Sequence, residues 1–286
     1  MRGSLRSALR APWLAFAVLA EYALGRVRQW AVGRHTKALL VECEQGRFLT
    51  PPQDWTVGAR LARGGSYGAE EIRRILALTD ADSRVLVVGS HIGSLVVPIS
   101  RGVAHVTAIE ANPATFELLQ MNLRLNGCDN VQGLHLAAGE RDGEIELVMN
   151  TTNSGGSKRL PLVRRHIYFY DSPQIARVRL RRLDDVLSGP YDLILMDIEG
   201  SEYFALRGMP RLLSQARHLV VEFLPRHFRD VAGVTASDFA ALVEPHFARL
   251  FVPSRTQTVE KSGIVPLLSA MEAEGASDDG IVFSKA

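Results

Sequence analysis

Gly89 and Gly93, together with Glu110 about twenty residues further on, are the residues of this sequence best spaced to hold a ligand. The segment VLVVGSHIGSL runs a buried-type strand into Gly89, a short turn, Gly93 and the start of a helix. Glycines permit a tight turn and a close backbone approach, and free N–H groups at a helix start attract an anion or a carboxylate. The spacing is GxxxG, which is not the GxGxxG of a dinucleotide fingerprint. Glu110 closes the next strand, TAIE, where a carboxylate can accept hydrogen bonds from both hydroxyls of a ribose. The pair therefore points to a nucleoside. A second group is acidic: Asp197 and Glu199 follow the strand LILM, and Glu222 follows LVV. If those strands are central neighbours, all three acids stand at carboxyl ends, where open α/β sheets bind their ligands. One of them can act as a general base if burial or a neighbouring acid raises its pKa, or two can hold a divalent ion. Glu199 and Glu202 can equally serve the following helix, since acids suit a first turn.

His91 lies inside the glycine turn and can contact a ligand or move a proton. His166 and His227 flank segments that can reach the site, but a lone histidine in such a place is more often structural. Asp184, in RLDDVL, reads as a turn stabiliser between strand and helix.

The elements that must position these residues alternate. Glu70 to Leu78 has helical spacing, with Ile72, Ile75 and Leu76 on the buried stripe. RVLVVG, HVTAIE and VQGLHLAAG read as strands, with helices near Ser94 to Arg101 and from Pro113 to Asn126 between them. EIELVM is an additional strand, and TTNSGGSK a flexible loop beside whatever binds. The alternation resumes with VRLRRLDDVL, YDLILMDIEG, a helix from Ser201 to Leu213, and HLVVEF. FARLFV and GIVFSKA close the chain as strands, separated by a segment that contains Pro266 and the weakly helical LLSAMEAEG. Continuous apolar runs such as Val85 to Val88 suit a parallel sheet covered on both faces. The expected fold is α/β, a doubly wound, mostly parallel sheet with an antiparallel strand near the C-terminus. Gln45 to Gly68, rich in glycine and proline, reads as loop with a hairpin and divides an N-terminal extension, residues 1–68, from the main domain, residues 69–286.

With 286 residues, 47% of them hydrophobic, and a formal net charge of +2, the chain can bury one large core. Lysine occurs only at positions 37, 158, 261 and 285, and the arginines are interleaved with acids, which disfavours a nucleic-acid face. Cys43 and Cys128 have neither zinc-ligand nor disulfide spacing. Arg2, Arg6 and Arg10 precede an apolar run from Ala11 to Ala20, too short to span a membrane and interrupted by Glu21. It reads as an amphipathic helix packed on the domain or a partner, with weak membrane association as the lesser alternative. A cytoplasmic protein is expected, and a homo-oligomer is compatible with the sequence.

VGSHIG, AIEANP, NLRLNGCDNV, AAGERDGEIEL, RLDDVL, MDIEGSEYFALRGM and LVVEF occur in the order and approximate spacing of FkbM-type methyltransferases, which this sequence resembles from about Gly64 to Phe223. The closing GIVFSK is similar too, and DIEGSE matches the family's D-x-E-G-x-E signature. The resemblance implies a class I methyltransferase fold, S-adenosylmethionine (SAM) as methyl donor, and a hydroxyl acceptor on a sugar, polyketide or comparable small molecule. It implies that Gly89, Ser90, His91 and Gly93 surround the methionine portion of the donor and that Glu110 holds the ribose. Asn112 and Ala138 would lie near the adenosine, with Asp197 counted both as cofactor contact and, beside Glu199 and Glu222, as catalytic residue. Tyr67 and Glu70 are similar to family residues ahead of the cofactor strand. Two positions depart from the pattern: Val87 stands where members often carry Asp, and Met196 where Lys is common.

Two other functions compete. Methylation of a nucleic-acid base at nitrogen predicts an [N/D]-PP-[Y/F] element after the fourth strand, and that place reads DIEG. A noncatalytic module that binds SAM or a nucleoside would keep the turn and Glu110 while dispensing with the acids.

Overall fold

The computed structural model describes residues 19–285. The apolar run of Ala11 to Ala20 therefore lies outside the described residues up to position 18. A helix over residues 19–32, α1, is followed by an antiparallel hairpin, β1 (Leu39–Cys43) and β2 (Gly46–Thr50), and by α2 (Val57–Gly64) and α3 (Ala69–Ala77). The next segment alternates: β3 (Arg84–Val88), α4 (Val96–Ser100), β4 (His105–Glu110), α5 (Pro113–Leu125) and β5 (Val131–His135). Then come β6 (Ala137–Ala138), β7 (Gly143–Met149), β8 (Lys158–Arg159), β9 (Gln174–Arg181), α6 (Leu183–Val186) and β10 (Leu193–Met196). The chain closes with α7 (Glu202–Arg207), α8 (Pro210–Gln215), β11 (His218–Phe223), α9 (Pro225–His227), α10 (Ala236–Val243), β12 (Arg249–Val252), β13 (Gln257–Glu260), α11 (Lys261–Glu274) and β14 (Asp278–Ser284).

The central sheet has the order β13-β12-β14-β11-β10-β3-β4-β5. From β11 to β5 all neighbours are parallel, and β14, β12 and β13 are added by antiparallel pairing. The expected α/β class is the observed one. Side chains alternate across a strand, and this sheet divides its core accordingly. Leu86, Val88, Ile194, Met196, Leu219 and Val221 pack with the helices of the C-terminal half. Val85, Val87, Leu193, Leu195 and Val220 pack on the opposite face with Ile72, Ile75, Leu119 and, from the extension, Phe48, Val57 and Leu61.

The order reverses between β3, whose successors β4 and β5 lie on one side, and β10, whose successor β11 lies on the other. At such a switch the connections diverge and leave a crevice beyond the carboxyl ends of the strands. Register sets what meets there. Met196 pairs with Val88 and with Val221, so Asp197 stands next to Gly89 on one side and Glu222 on the other.

Four sequence expectations need correction. VRLRR does not continue the central alternation: β9 pairs with β7 and β6 in a separate sheet of order β6-β9-β7-β8. Arg177, Arg179 and Arg181 sit at alternate positions of β9, a half-exposed pattern that no strand covered on both faces can hold. The helix expected from Ser201 to Leu213 is two helices, because Pro210 has no N–H to donate and begins α8 afresh. Pro266 lies inside α11, which already begins at Lys261. The segment Gln45 to Gly68 holds, besides β2, the helix α2, whose first N–H groups are satisfied by the Asp54 carboxylate: Thr56 and Val57 donate to Oδ1 and Gly58 to Oδ2, at 3.0–3.1 Å.

Candidate active site

The turn after β3 is held by the end of β4. The N–H groups of Gly89 and Ser90 both donate to the Ile109 carbonyl at 2.9 Å, and the His91 N–H donates to Glu110 Oε2 at 2.7 Å. Gly89 and Gly93 have φ values of +92° and +89°, and His91 has φ +50°, an uncommon conformation for a residue with a side chain. Glu110 Oε1 accepts from the Asn112 N–H at 2.7 Å and from Thr115 Oγ1 at 3.0 Å. A carboxylate offers roughly four acceptor positions. The chain's own donors thus leave Glu110 one position, on Oε2, where the sequence suggested both ribose hydroxyls. Burial pushes its carboxyl above the usual range, against the pull of these hydrogen bonds.

Asn112 caps α5 through Oδ1, which accepts from the Ala114 N–H at 3.0 Å, and its Nδ2 donates to Ser157 Oγ at 3.0 Å. It stands behind the cavity wall with Gly93, whereas Gly89, Ser90, His91, Glu110 and Ala138 line the cavity.

That cavity measures about 410 Å³, within the ~300–1,000 Å³ usual for small-molecule sites. Six carboxylates border it: Glu71, Glu110, Asp197, Glu199, Glu222 and Asp279. Asp197 and Glu222 lie within hydrogen-bonding reach of each other. Asp197 is exposed, and what it faces is this cavity. Limited solvation inside the cavity pushes Asp197 well above the usual carboxylate range, reinforced by the charge of Glu199. Burial and the charge of Asp197 do the same to Glu222. Two such acids in contact share a proton rather than both ionising. Burial also raises Glu71 and Glu202 to about 7.

Glu199 goes the other way. Burial opposes its ionisation, but Lys158 and His227 outweigh that and hold it at about 2. Its Oε2 lies 3.6 Å from Lys158 Nζ and 3.0 Å from His227 Nδ1. The backbone at Glu199 has φ +56°, a second left-handed residue at this site. Tyr168 supports the group from behind, with its ring 5.5 Å from that of His227 and 5.7 Å from Lys158 Nζ, and its hydroxyl donating to buried Asp230 at 3.0 Å. Glu199, Glu222 and His227 offer ligand atoms within 4.8 Å of one another, a spacing open to a metal ion. Lys158 already supplies a positive charge against Glu199 there, so a divalent ion would meet electrostatic competition.

The loop TTNSGGSK closes one side of the cavity, as its composition suggested, and it is anchored. His91 Nε2 lies 2.7 Å from Ser154 Oγ, which donates to Asp54 Oδ2 at 2.8 Å. Asp54 is fully buried and ties the glycine turn, this loop and the start of α2 into one network. Sequence reasoning missed Asp54, Ser154, Lys158, Glu71 and Asp279. The only local signals were Asp54 ahead of a helical stripe at Val57 and Leu61, and a lone lysine in a polar loop. Glu70 is exposed and pairs with Arg73, while its neighbour Glu71 and Tyr67 line the cavity. His166 is exposed, and Glu202 accepts from the Ile198 N–H at 3.0 Å, which ties the turn ahead of α7. Asp184 caps α8, accepting from the N–H groups of Arg211 and Leu212 at 2.8 and 3.1 Å.

A family model described as "Methyltransferase FkbM domain" matches residues 88–256. Over 82 residues the chain is 38% identical to the "Probable ribosomal RNA small subunit methyltransferase A" of Methanothermobacter thermautotrophicus, a stretch that is 27% of this chain and 30% of that protein. Among solved structures it is similar to the methyltransferase FkbM of Methylobacillus flagellatus KT, with 18% identity, 72% of this chain and 44% of that chain covered, and a TM-score of 0.43. It is also similar to TYW2 of M. jannaschii in complex with AdoMet, with 12% identity, 88% of each chain covered and a TM-score of 0.42. The chain spans under a third of the archaeal curated relative and under half of the Methylobacillus chain. The family match takes in Gly89, Glu110 and the whole of the DIEGSE segment, more than half of the chain in all, and on it the protein belongs to the FkbM methyltransferase domain family.

Proposed function

We propose that this protein transfers a methyl group from SAM to a hydroxyl of a small molecule, with the Asp197–Glu222 pair as proton acceptor. The observation that carries the reading is the charge of the cavity: six carboxylates border a crevice at the switch point, around a glycine turn. A sulfonium and an ammonium on one ligand suit such a wall, because buried negative charge is costly until a cation joins it. The turn from Gly89 to His91 takes the methionine portion, the free position of Glu110 accepts one ribose hydroxyl, and Ala138 lies along the adenosine. Val87 lines the cavity as apolar wall and Met196 is buried in the core, so neither offers the ligand a polar group.

The bound donor supplies a methyl group on positively charged sulfur, open to in-line displacement by an acceptor oxygen. A neutral alcohol is a weak nucleophile, and the residues of the chain address that. Burial and the mutual charge of Asp197 and Glu222 raise the step in which the pair gives up its shared proton, so the pair that has lost it is a stronger base than an isolated carboxylate. It takes the hydroxyl proton as the oxygen gains the methyl group. Glu199, kept ionised by Lys158 and His227, maintains a fixed negative charge beside the pair. The loop at Asn153 to Arg159 excludes water from the same space and helps to align the acceptor.

Calorimetric titration with SAM tests the donor site. Native protein is expected to bind and Glu110→Ala to bind much more weakly, and absence of heat with the native protein ends the proposal. Incubation with methyl-labelled SAM and a metabolite extract, followed by mass spectrometry, tests the acceptor class. Label confined to RNA would overturn the small-molecule part alone, and tight SAM binding without any labelled product would favour a noncatalytic module.

A further inference from the structure

α1 is an amphipathic helix mounted with its apolar side outward. Its inner side is polar and small. Arg28 Nη1 donates to the Asp54 carbonyl at 3.0 Å, Tyr22 meets Tyr170 edge-on at 6.5 Å, and Gly25 packs so closely that an added Cβ would lie 2.5 Å from the Gln53 carbonyl oxygen. Glu21, the single acid of residues 19–37, is on the inner side as well, beside Trp55 and Arg63. The outer side carries Leu24 (43% exposed), Val27 (60%) and Trp30 (83%). Exposed apolar residues continue at Val32, the last residue of the helix, and at Leu40 in β1.

Water is a poor environment for such a ridge, and its flanks show what would suit it. Arg26, Arg34 and Lys37 are exposed beside it, with no exposed acid among residues 19–37. The sequence before the described residues repeats the composition, with Arg2, Arg6 and Arg10, Trp13 and Phe16, and no acid before Glu21. Apolar side chains with tryptophan at one level and cations around them match the boundary between lipid chains and anionic headgroups. No described helix is long and apolar enough to cross a membrane.

We infer that the outward face of α1 docks the protein on an anionic lipid surface, lying in the headgroup boundary with Leu24, Val27 and Trp30 buried and Arg26, Arg34 and Lys37 against phosphates. This is independent of the catalytic reading. The docked helix is close to the cavity, because Thr56 and Arg60 line both the cavity and the cleft beside Glu21.

Sedimentation of the full chain with vesicles tests it, using phosphatidylcholine alone and phosphatidylcholine mixed with phosphatidylglycerol. The chain is expected to pellet with the mixed vesicles at low salt and much less with the zwitterionic ones. Val27→Glu with Trp30→Glu, both outward and remote from the core, should lower binding on the order of tenfold or more with unchanged thermal unfolding. Each of Arg26→Glu, Arg34→Glu and Lys37→Glu should lower it at least roughly fivefold, the equivalent of about 1 kcal/mol for one charge. Failure to pellet with mixed vesicles, or equal pelleting of the Val27/Trp30 variant, overturns the inference. So does a dimer, seen by sedimentation velocity, that the Val27/Trp30 variant dissociates while native protein ignores vesicles.

Discussion

Gly89 and Asp197 press together so closely that a Cβ built on Gly89 would lie 1.8 Å from the Asp197 carbonyl oxygen. The cause is the parallel register of β3 and β10, which brings both chains off the sheet at one height, with the Asp197 N–H donating to the Val88 carbonyl at 3.0 Å. Backbone cannot yield as a flexible side chain can. The glycine therefore does two things at once: it turns the chain at φ +92° and lets the strand bearing the proposed base approach the turn proposed to hold the donor.

Gly89→Ala should accordingly damage both stability and binding. A cost of at least ~2 kcal/mol is expected from the strained φ and the overlap, read by urea unfolding. SAM affinity should fall by roughly tenfold or more in calorimetry, since about 1.4 kcal/mol of misplacement already suffices for that. Native-like affinity in a folded variant would show that the turn does not hold the donor.

The Asp197–Glu222 pair makes a prediction about pH. Both carboxyls are raised, and the pair must have lost a proton to act as a base, so kcat/KM should rise with pH through an apparent pKa above the ordinary carboxylate range. Glu222→Gln should lower kcat by ~10²–10⁴ and shift or remove that limb, with SAM affinity little changed. An unshifted profile with native kcat in this variant removes the pair from the chemistry.

Lys158 and Glu199 form a buried pair whose loss should be felt even without substrate. The folded pKa of Glu199, about 2, is below its ordinary value of 4.5, so its ionisation adds stability above pH 4.5 that disappears as pH falls toward 2. Lys158→Met strands a carboxylate among buried groups and should cost on the order of 3 kcal/mol at neutral pH. Adding Glu199→Gln should recover part of that loss. Unfolding titrations of the single and double variants check this, and simple additivity would mean that the two groups do not interact.

Glu202 has the opposite sign. Burial raises it to about 7, so its neutral form favours the fold below pH 4.5, and that contribution is lost as pH rises through about 7. Glu202→Gln preserves an acceptor for the Ile198 N–H and cannot ionise. Its melting temperature should fall less than that of the native chain between mildly acidic and mildly alkaline pH. Parallel curves would show that Glu202 is already solvated or paired.

Much of this site could be read from local pattern. Continuous apolar runs marked β3, β4, β10 and β11, and the distance from Gly89 to Glu110 expressed one strand-turn-helix-strand unit. Other features looked local and were not. β9 resembled a central strand until its alternate arginines found the half-exposed sheet with β7. Glu110 looked free for two hydroxyls until the backbone of His91 and Asn112 and the Thr115 hydroxyl filled three of its acceptor positions.

By itself the sequence determined the α/β alternation, the glycine turn and the acids at the strand ends, because periodicity and turn chemistry depend on residues within a few positions of one another. Only the tertiary structure decided that Asp54 reaches Ser154 and, through it, His91, that Lys158 pairs with Glu199, that Asp197 and Glu222 end neighbouring strands side by side, and that α1 turns its apolar side outward. Those outcomes depend on which distant segments the sheet order brings together, and on the loss of water around charges that meet there.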